Sequence, residues 1–108
     1  MYEIVYYNNK ITKFINSLES SYKEKAYKMI QELAINGNKL DEQHSKTRCD
    51  DIFKIRLKTP RHSIRIFYAF ETKLFILHAY AKKDNATKNK DLEICVKRLK
   101  DIKRMLTV

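Results

Sequence analysis

The feature that most constrains the fold is a change of hydrophobic period in the middle of the chain. Apolar residues fill every second position from 53 to 57, and basic residues fill the positions between them. Such alternation indicates a β-strand with one buried face. After a proline-containing turn at 59–62, residues 63–70 alternate again, and residues 74–81 are apolar on both faces, as in an interior strand. Three strands with short connections predict an antiparallel meander.

Helical spacing precedes this meander. Residues 2–7 are aromatic and β-branched, which predicts a short N-terminal strand. Two helices are predicted next, the first N-capped by Asn8 or Asn9 and the second opened by a Ser21–Glu24 capping box. Gly37, the only glycine, is expected as a left-handed C-cap of the second helix. The two helices should therefore form a hairpin.

The remaining segments are a loop and a final helix. Residues 38–51 are polar without a sustained period and predict a surface loop, whereas residues 90–106 predict a helix. One stripe of that helix is apolar and comprises Leu92, Cys95, Leu99, Ile102 and Leu106. The order predicts one α+β domain over residues 1–108, an antiparallel sheet of the N-terminal strand and the meander with helices on one face. The other face should be free to act as a working surface.

The charge of the chain is concentrated in this meander. The chain has 23 Lys and Arg against 13 Asp and Glu, and residues 44–90 alone have 12 basic and 4 acidic side chains. A localised basic surface most often binds phosphate, although a solvated charged face is the alternative. With one Gly and one Pro, the chain has no glycine-rich phosphate loop, which excludes P-loop and dinucleotide-binding classes.

No segment predicts a membrane span or a signal peptide, since no apolar run reaches about 18 residues. Cys49 and Cys95 lack metal-ligand spacing and are expected to be reduced thiols. We therefore expect a cytoplasmic protein with no metal and no cofactor.

Basic side chains from three successive strands should gather on one side of the sheet. Basic side chains on one face of the first strand are about 6.6 Å apart, and antiparallel pairing brings basic side chains of the next strands beside them. The set is Lys54, Arg56, Lys58, Arg65, Lys82 and Lys83. Because like charges disfavour protonation, a lysine in this cluster should have a lowered pKa and could accept a proton near neutral pH.

The strand motifs resemble those of a known family. The segments are IFKIRLK at 52–58, a strand ending R-I-F-Y-A-F at Phe70, and F-I-L-H-A-Y-A-K-K at 75–83. In this order they resemble the RelE/ParE superfamily of toxins, specifically the HigB-like, phage Gp49-like branch of type II toxin–antitoxin systems. Two departures from the family pattern are the absence of proline at 86–88 and of an aromatic or His after Tyr80.

The resemblance implies a metal-independent, ribosome-dependent endoribonuclease that cleaves messenger RNA and inhibits translation. Lys54 or Lys82 would transfer protons, and Arg56 and Arg65 would hold the scissile phosphate and its developing charge. The expected RNA-binding residues are Lys58, Arg61, His62, Tyr80 and Lys83.

Two further side chains have alternative interpretations. His78 is expected on the same strand face as Ile76 and Tyr80, as a residue of the core or a support of the site rather than a catalyst. Tyr68 fits a stacking role on a nucleobase and a place in the core equally well.

The family implies partners as well. These are a cognate antitoxin, commonly a helix-turn-helix protein like HigA with an acidic segment, together with the ribosome and its message. DNA would be contacted only through the antitoxin complex, and no membrane partner is expected. Two alternatives stay open: a non-nuclease toxin such as a ParE-like gyrase inhibitor, and an inactive module that binds the antitoxin and acts as a co-repressor.

Overall fold

The computed structural model describes residues 1–37, 44–47, 51–82 and 89–106. In chain order its elements are β1 (Ile4–Tyr6), α1 (Asn9–Asn16), α2 (Ser20–Asn36), β2 (His44–Lys46), β3 (Phe53–Lys58), β4 (Ser63–Glu71), β5 (Lys73–Lys82) and α3 (Asn89–Leu106). The predicted α+β class and the order of strand, two helices, meander and helix are confirmed. No helix in the described part of the chain is long and apolar enough to span a membrane.

In the described part of the chain, the sheet has five strands in the order β1-β5-β4-β3-β2. The pairs β3–β4 and β4–β5 are antiparallel, so the meander is confirmed, and β4 is the central strand. The prediction of an entirely antiparallel sheet is wrong, because β1 pairs with β5 in parallel. The direction of a three-residue edge strand leaves no trace in its hydrophobic pattern, since either direction buries the same side chains.

The predicted loop at 38–51 contains an edge strand. Strand β2 pairs antiparallel with β3, and Ser45 lies opposite Lys54. A short polar edge strand needs only backbone hydrogen bonds on one side and no buried face, so its sequence lacks the alternation that reveals β3.

The helix ends match the sequence in part. The Asn8 side chain accepts a hydrogen bond from the Ile11 amide at 3.3 Å, which confirms this N-cap. Helix α2 instead begins at Ser20, and its N-cap Glu19 makes no side-chain capping bond, so the predicted Ser21–Glu24 capping box is wrong. Gly37 ends α2 with φ 78° and ψ −169°, an extended conformation accessible essentially only to glycine rather than the expected left-handed helical one.

The helical hairpin covers one face of the sheet. Ile15 of α1 and Ile30 of α2 are almost fully buried there. The strands contribute an aliphatic layer to the same cluster, which comprises Ile55, Leu57, Ile64, Ile66, Leu74 and Ile76. This side is the larger core of the molecule.

Helix α3 packs on the opposite face, so the prediction that one face is left free is wrong. Its buried residues Leu92, Cys95, Leu99 and Ile102 form a second core with an apolar group on the sheet. That group includes Phe67, Ala69, Phe75 and Leu77. Leu106, predicted on the same stripe, is 44% exposed because the helix has passed beyond this apolar group. We call the two sides of the sheet the hairpin face and the α3 face.

Candidate nucleic-acid interface

The predicted basic residues lie on the α3 face, beyond its apolar group. In the antiparallel registers of β3, β4 and β5, three rows of side chains run across the strands. The rows are Lys54–Phe67–His78, Arg56–Arg65–Tyr80 and Lys58–Ser63–Lys82. We call Lys54, Arg56, Lys58, Arg65, His78, Tyr80 and Lys82 the cationic patch. The gathering of cations from three successive strands on one side, predicted from the sequence, is confirmed for these residues.

A β-bulge in β5 completes the patch. Phe67 pairs with His78 and Tyr68 pairs with Ile76, so Leu77 is an extra residue in the ladder. The extra residue reverses the alternation of side chains beyond it, which places His78 on the opposite face from Ile76. The expectation that His78 and Ile76 share a face is therefore wrong, whereas its pairing with Tyr80 is right. A local irregularity of this kind has no hydrophobic signature in an apolar strand.

The patch is layered, with a buried cation beneath half-buried ones. Arg65 is 0% exposed, whereas Lys54 and Arg56 are half-buried and Lys58 is exposed. Burial lowers the pKa of Lys54, and the positive charges of Arg65 and Arg56 lower it further. The predicted lowering of a lysine pKa by its neighbours is confirmed in direction for Lys54, with desolvation as the larger cause.

Asp91, which the sequence analysis did not single out, anchors the third strand of the patch. Its Oδ2 lies 2.9 Å from Nζ of Lys82, and its Oδ1 lies 3.3 Å from Nε2 of His78. Burial alone would raise the pKa of Asp91, but the hydrogen bonds with Lys82 and His78 outweigh it, so the pKa lies below its usual value. The sequence signal for Asp91 is an acidic residue in the first turn of α3. Acidic residues are common in the first turn of helices, so this signal does not identify Asp91 as a partner of the patch.

The aromatic members of the patch form a stacked group. The Tyr80 ring lies 5.8 Å from Phe67 and 5.0 Å from His78 between centroids, and Nζ of Lys82 lies 5.1 Å above it. Burial raises the pKa of the Tyr80 hydroxyl to about 12, with Arg65 acting in the opposite direction. Tyr80 is thus a neutral phenol at physiological pH, half-buried beside the cations. Tyr68 is fully buried in the hairpin-face core, which excludes its stacking interpretation.

The His78 imidazole is also held uncharged at neutral pH. Burial lowers the pKa of His78, and the charges of Arg98 and Lys82 act in the same direction. The hydrogen bond with Asp91 opposes them without reversing the shift. His78 therefore adds a neutral ring to the patch rather than a further positive charge.

The β3–β4 turn lies at the end of the sheet. The Thr59 hydroxyl donates to the His62 carbonyl at 2.9 Å and accepts from the His62 amide at 3.1 Å, which closes the turn. Arg61 and His62 line a cavity of about 500 Å³ together with Tyr22 and the α1–α2 turn. The structure thus places Arg61 and His62 next to the helical hairpin, in the turn that follows Lys58.

Two predicted features remain to be placed. Lys83 and Cys49 lie outside the described residues, so the structure gives neither a position. Among the residues that the structure describes, no cluster of three or more His, Cys, Asp or Glu side chains has a geometry that could hold a metal ion.

Comparison with known proteins places this geometry in a family. The model of the family "Phage derived protein Gp49-like (DUF891)" matches residues 13–100. Among solved structures, a double arginine-to-alanine mutant of the E. coli toxin RelE in the free state matches with a TM-score of 0.64 and 19% identity. The match covers 90% of this chain and 96% of that one. No curated protein sequence matches significantly. The chain has a RelE-like fold and, with four-fifths of its length matched by the family model, it belongs to the phage-derived Gp49-like family, the branch that its strand motifs predicted.

Proposed function

We propose that this chain is the toxin of a type II toxin–antitoxin pair and that it cleaves ribosome-bound messenger RNA without a metal ion. Membership of the Gp49-like family and the RelE-like fold support the toxin assignment. The observation that most supports nuclease chemistry is the cationic patch, in which three strands contribute basic side chains to one side of the sheet. A dense basic surface suits docking to the phosphates of RNA.

The chemistry requires three tasks. The ribose 2′-OH loses a proton and attacks the adjacent phosphorus, the P–O5′ bond breaks, and the leaving 5′-oxygen receives a proton. The products are a 2′,3′-cyclic phosphate and a free 5′-hydroxyl. Cationic donors stabilise the charge of the pentacoordinate phosphorus, and one group with a pKa near neutrality accepts the first proton.

We assign the base to Lys54. Its lowered pKa reduces the free-energy cost of the neutral amine that can accept a proton. Lys82, the other candidate, is ion-paired with Asp91 at 2.9 Å, and accepting a proton from RNA would require that pair to break. Lys82 is better suited to remain protonated and to donate to a phosphate or to the leaving oxygen.

The arginines would act at two depths. Arg56 lies directly opposite Arg65 in the register of β3 and β4. Because Arg56 is partly exposed, its guanidinium can contact the scissile phosphate. Arg65 is fully buried, and its fixed charge would act through Lys54 and Arg56 from beneath the surface. Lys58, Arg61, His62 and Lys83 would extend the RNA path, and the half-buried Tyr80 ring offers a surface on which a base could stack.

The same charge distribution suits an acidic antitoxin segment. A helix-turn-helix partner like HigA would neutralise the patch and link the pair to operator DNA. Ribosome and messenger RNA would be the targets of the free toxin.

The test compares two patch variants with a matched control. Lys54→Met and Arg56→Met each remove one positive charge from the patch, and Lys28→Met removes one from the exposed side of α2. Loss of proton transfer or of phosphate stabilisation should lower message cleavage in a translation extract by about 100-fold or more. The control should cut like the parent. Primer extension on ribosome-bound message measures the cleavage rate, and induced expression measures toxicity.

Three outcomes would contradict the proposal. Equal cleavage by the parent and both patch variants would remove these residues from the chemistry. A DNA-damage response with intact message would favour the gyrase inhibitor. A harmless parent that binds its antitoxin tightly would favour the co-repressor module.

A further inference from the structure

The composition of the patch depends on the β-bulge at Leu77. In a regular strand, side chains alternate, so residues 78, 80 and 82 would share the side of Ile76. They would then lie beneath the helical hairpin, where Ile76 is fully buried. The bulge at Leu77 shifts the register by one residue and turns His78, Tyr80 and Lys82 onto the α3 face. One extra residue thus decides whether β5 contributes to the patch.

A bulge leaves a backbone group that the ladder does not pair, and such a group is costly when it is buried. The Leu77 side chain is fully buried, and its carbonyl accepts a hydrogen bond from Nη1 of Arg98 at 2.6 Å. A charged donor makes a stronger hydrogen bond than a neutral one. Arg98 of α3 therefore supplies the partner that the bulge needs.

Arg98 is itself held in place from a third element. Its guanidinium lies 4.8 Å from the centroid of the Tyr7 ring, which follows β1 in the chain. The Tyr7 amide pairs with the Ile76 carbonyl at 3.0 Å, and its hydroxyl lies 3.4 Å from Oδ2 of Asp101 on α3. The end of β1, the bulge in β5 and the middle of α3 meet at this one side chain.

We propose that Arg98 is a positioning residue for the cationic patch: it holds the Leu77 bulge and so fixes the side of the sheet to which His78, Tyr80 and Lys82 point. Its effect on RNA cleavage rests on the proposed function. Its effect on the register of β5 does not, because it follows from the hydrogen bond and the pairing alone. Arg98 contacts no substrate in this scheme and acts through the backbone of β5.

The experiment compares Arg98→Met, Arg98→Lys and Lys100→Met by NMR. Methionine keeps an apolar stem without the donors, and lysine keeps the charge and one donating group. Lys100 lies on the same helix with an exposed side chain, and its replacement also removes one positive charge, away from the bulge. Amide exchange, contacts between the Phe67 and His78 rings, and the titration of His78 are measured in each variant.

In Arg98→Met we expect amides of residues 77–82 to exchange about tenfold faster or more, with loss of the Phe67–His78 contact. The His78 pKa should rise, because the positive charge of Arg98 lowers it in the parent. Arg98→Lys should retain the lowered His78 pKa and part of the protection, and Lys100→Met should match the parent. Unchanged exchange and unchanged ring contacts in Arg98→Met would overturn the proposal.

The same experiment distinguishes a folding defect of the variant from a failure of the proposed function. If Arg98→Met does not fold, Arg98→Lys decides: partial loss of protection confined to residues 77–82 supports the proposal, and uniform or no loss overturns it. In a folded Arg98→Met, message cleavage should fall about tenfold through kcat. If the parent itself cuts no RNA, the proposed function fails while the NMR result still decides the role of Arg98.

Discussion

The two faces of the sheet are built from the same three strands and differ in what they do. The hairpin face is apolar from β3 to β5, with aliphatic side chains and the rings of Phe53, Tyr68 and Phe70, and it is covered by α1 and α2. The α3 face is divided, with an apolar group under α3 and the cationic patch beside it. Regular alternation gives both faces along β3, β4 and the first part of β5, and the bulge at Leu77 places the last part of β5 on the α3 face.

The hairpin face and the cationic patch contribute differently to stability. Burial of the hairpin face supplies an apolar core of aliphatic and aromatic side chains from the three strands. The patch instead holds half-buried cations close together, which costs free energy through desolvation and repulsion. Strain of this kind is tolerated where the rest of the fold supports it, and it is typical of functional sites.

The largest expected effect on stability lies on the hairpin face. Ile66 is fully buried at the centre of β4, and Ile66→Ala should lower the free energy of unfolding by about 2–5 kcal/mol, since it leaves a cavity in a rigid core. Urea denaturation followed by circular dichroism measures the change. The control Leu106→Ala removes an aliphatic side chain that is 44% exposed and should cost no more than about 0.5 kcal/mol. Similar losses in both variants would contradict the contrast between the faces.

A smaller effect is expected where α3 is tied to the patch. Asp91→Asn weakens the contacts with Lys82 and His78 and should lower the free energy of unfolding by about 1 kcal/mol at neutral pH. Because the folded-state pKa of Asp91 is lowered, its stabilisation is present above the unfolded pKa and disappears as the pH falls through the folded value. The difference from the parent should therefore shrink in acid.

Glu93→Gln is the matched control for this pH dependence. Glu93 lies in the same part of α3 and is exposed, so its replacement should leave the stability profile nearly unchanged. Urea denaturation of the parent and both variants at a series of pH values gives the comparison. A difference between Asp91→Asn and the parent that stays constant from neutral to acid pH would rule out a stabilising role for the charged carboxylate.

The smallest effect concerns His78. Its folded-state pKa lies below the usual value, so protons bind the unfolded chain more readily and stability should rise with pH from the folded pKa to about 6.5. Partial exposure limits the change to less than about 1 kcal/mol. The groups that face this imidazole are Asp91, Arg98 and Lys82. NMR titration checks the direction, His78→Gln should remove the dependence in this window, and a His78 pKa at or above its usual range would contradict it.

Strong hydrophobic patterns predicted their elements well. The alternation of β3, the mixed pattern of β4 and the apolar run of β5 gave the meander and its short connections. The capping box failed because α2 begins two residues earlier, with Glu19 rather than Ser21 at the N-cap and without a side-chain cap. Strand β2 was missed because three polar residues at an edge need no buried face.

The cationic residues of the patch were predictable from the sequence, whereas their contacts were not. Alternation placed Lys54, Arg56 and Arg65 on one side, since period-two geometry holds wherever pairing is regular. The pairing of Lys82 with Asp91 and the burial of Arg65 depend on where α3 returns to the sheet. Nothing in the local sequence specifies that return.

The sequence by itself determined the strands of the meander, the two-sided character of each strand and the concentration of positive charge on one of those sides. Local pattern suffices for these, because a strand has only two faces and burial selects one of them. The tertiary structure alone decided that β1 runs parallel to β5, that α3 covers part of the charged side, and that the Leu77 bulge turns the end of β5 toward the patch. These depend on contacts between residues far apart in the chain, such as Arg98 with Leu77, and the free energy of such contacts is not encoded in either segment alone.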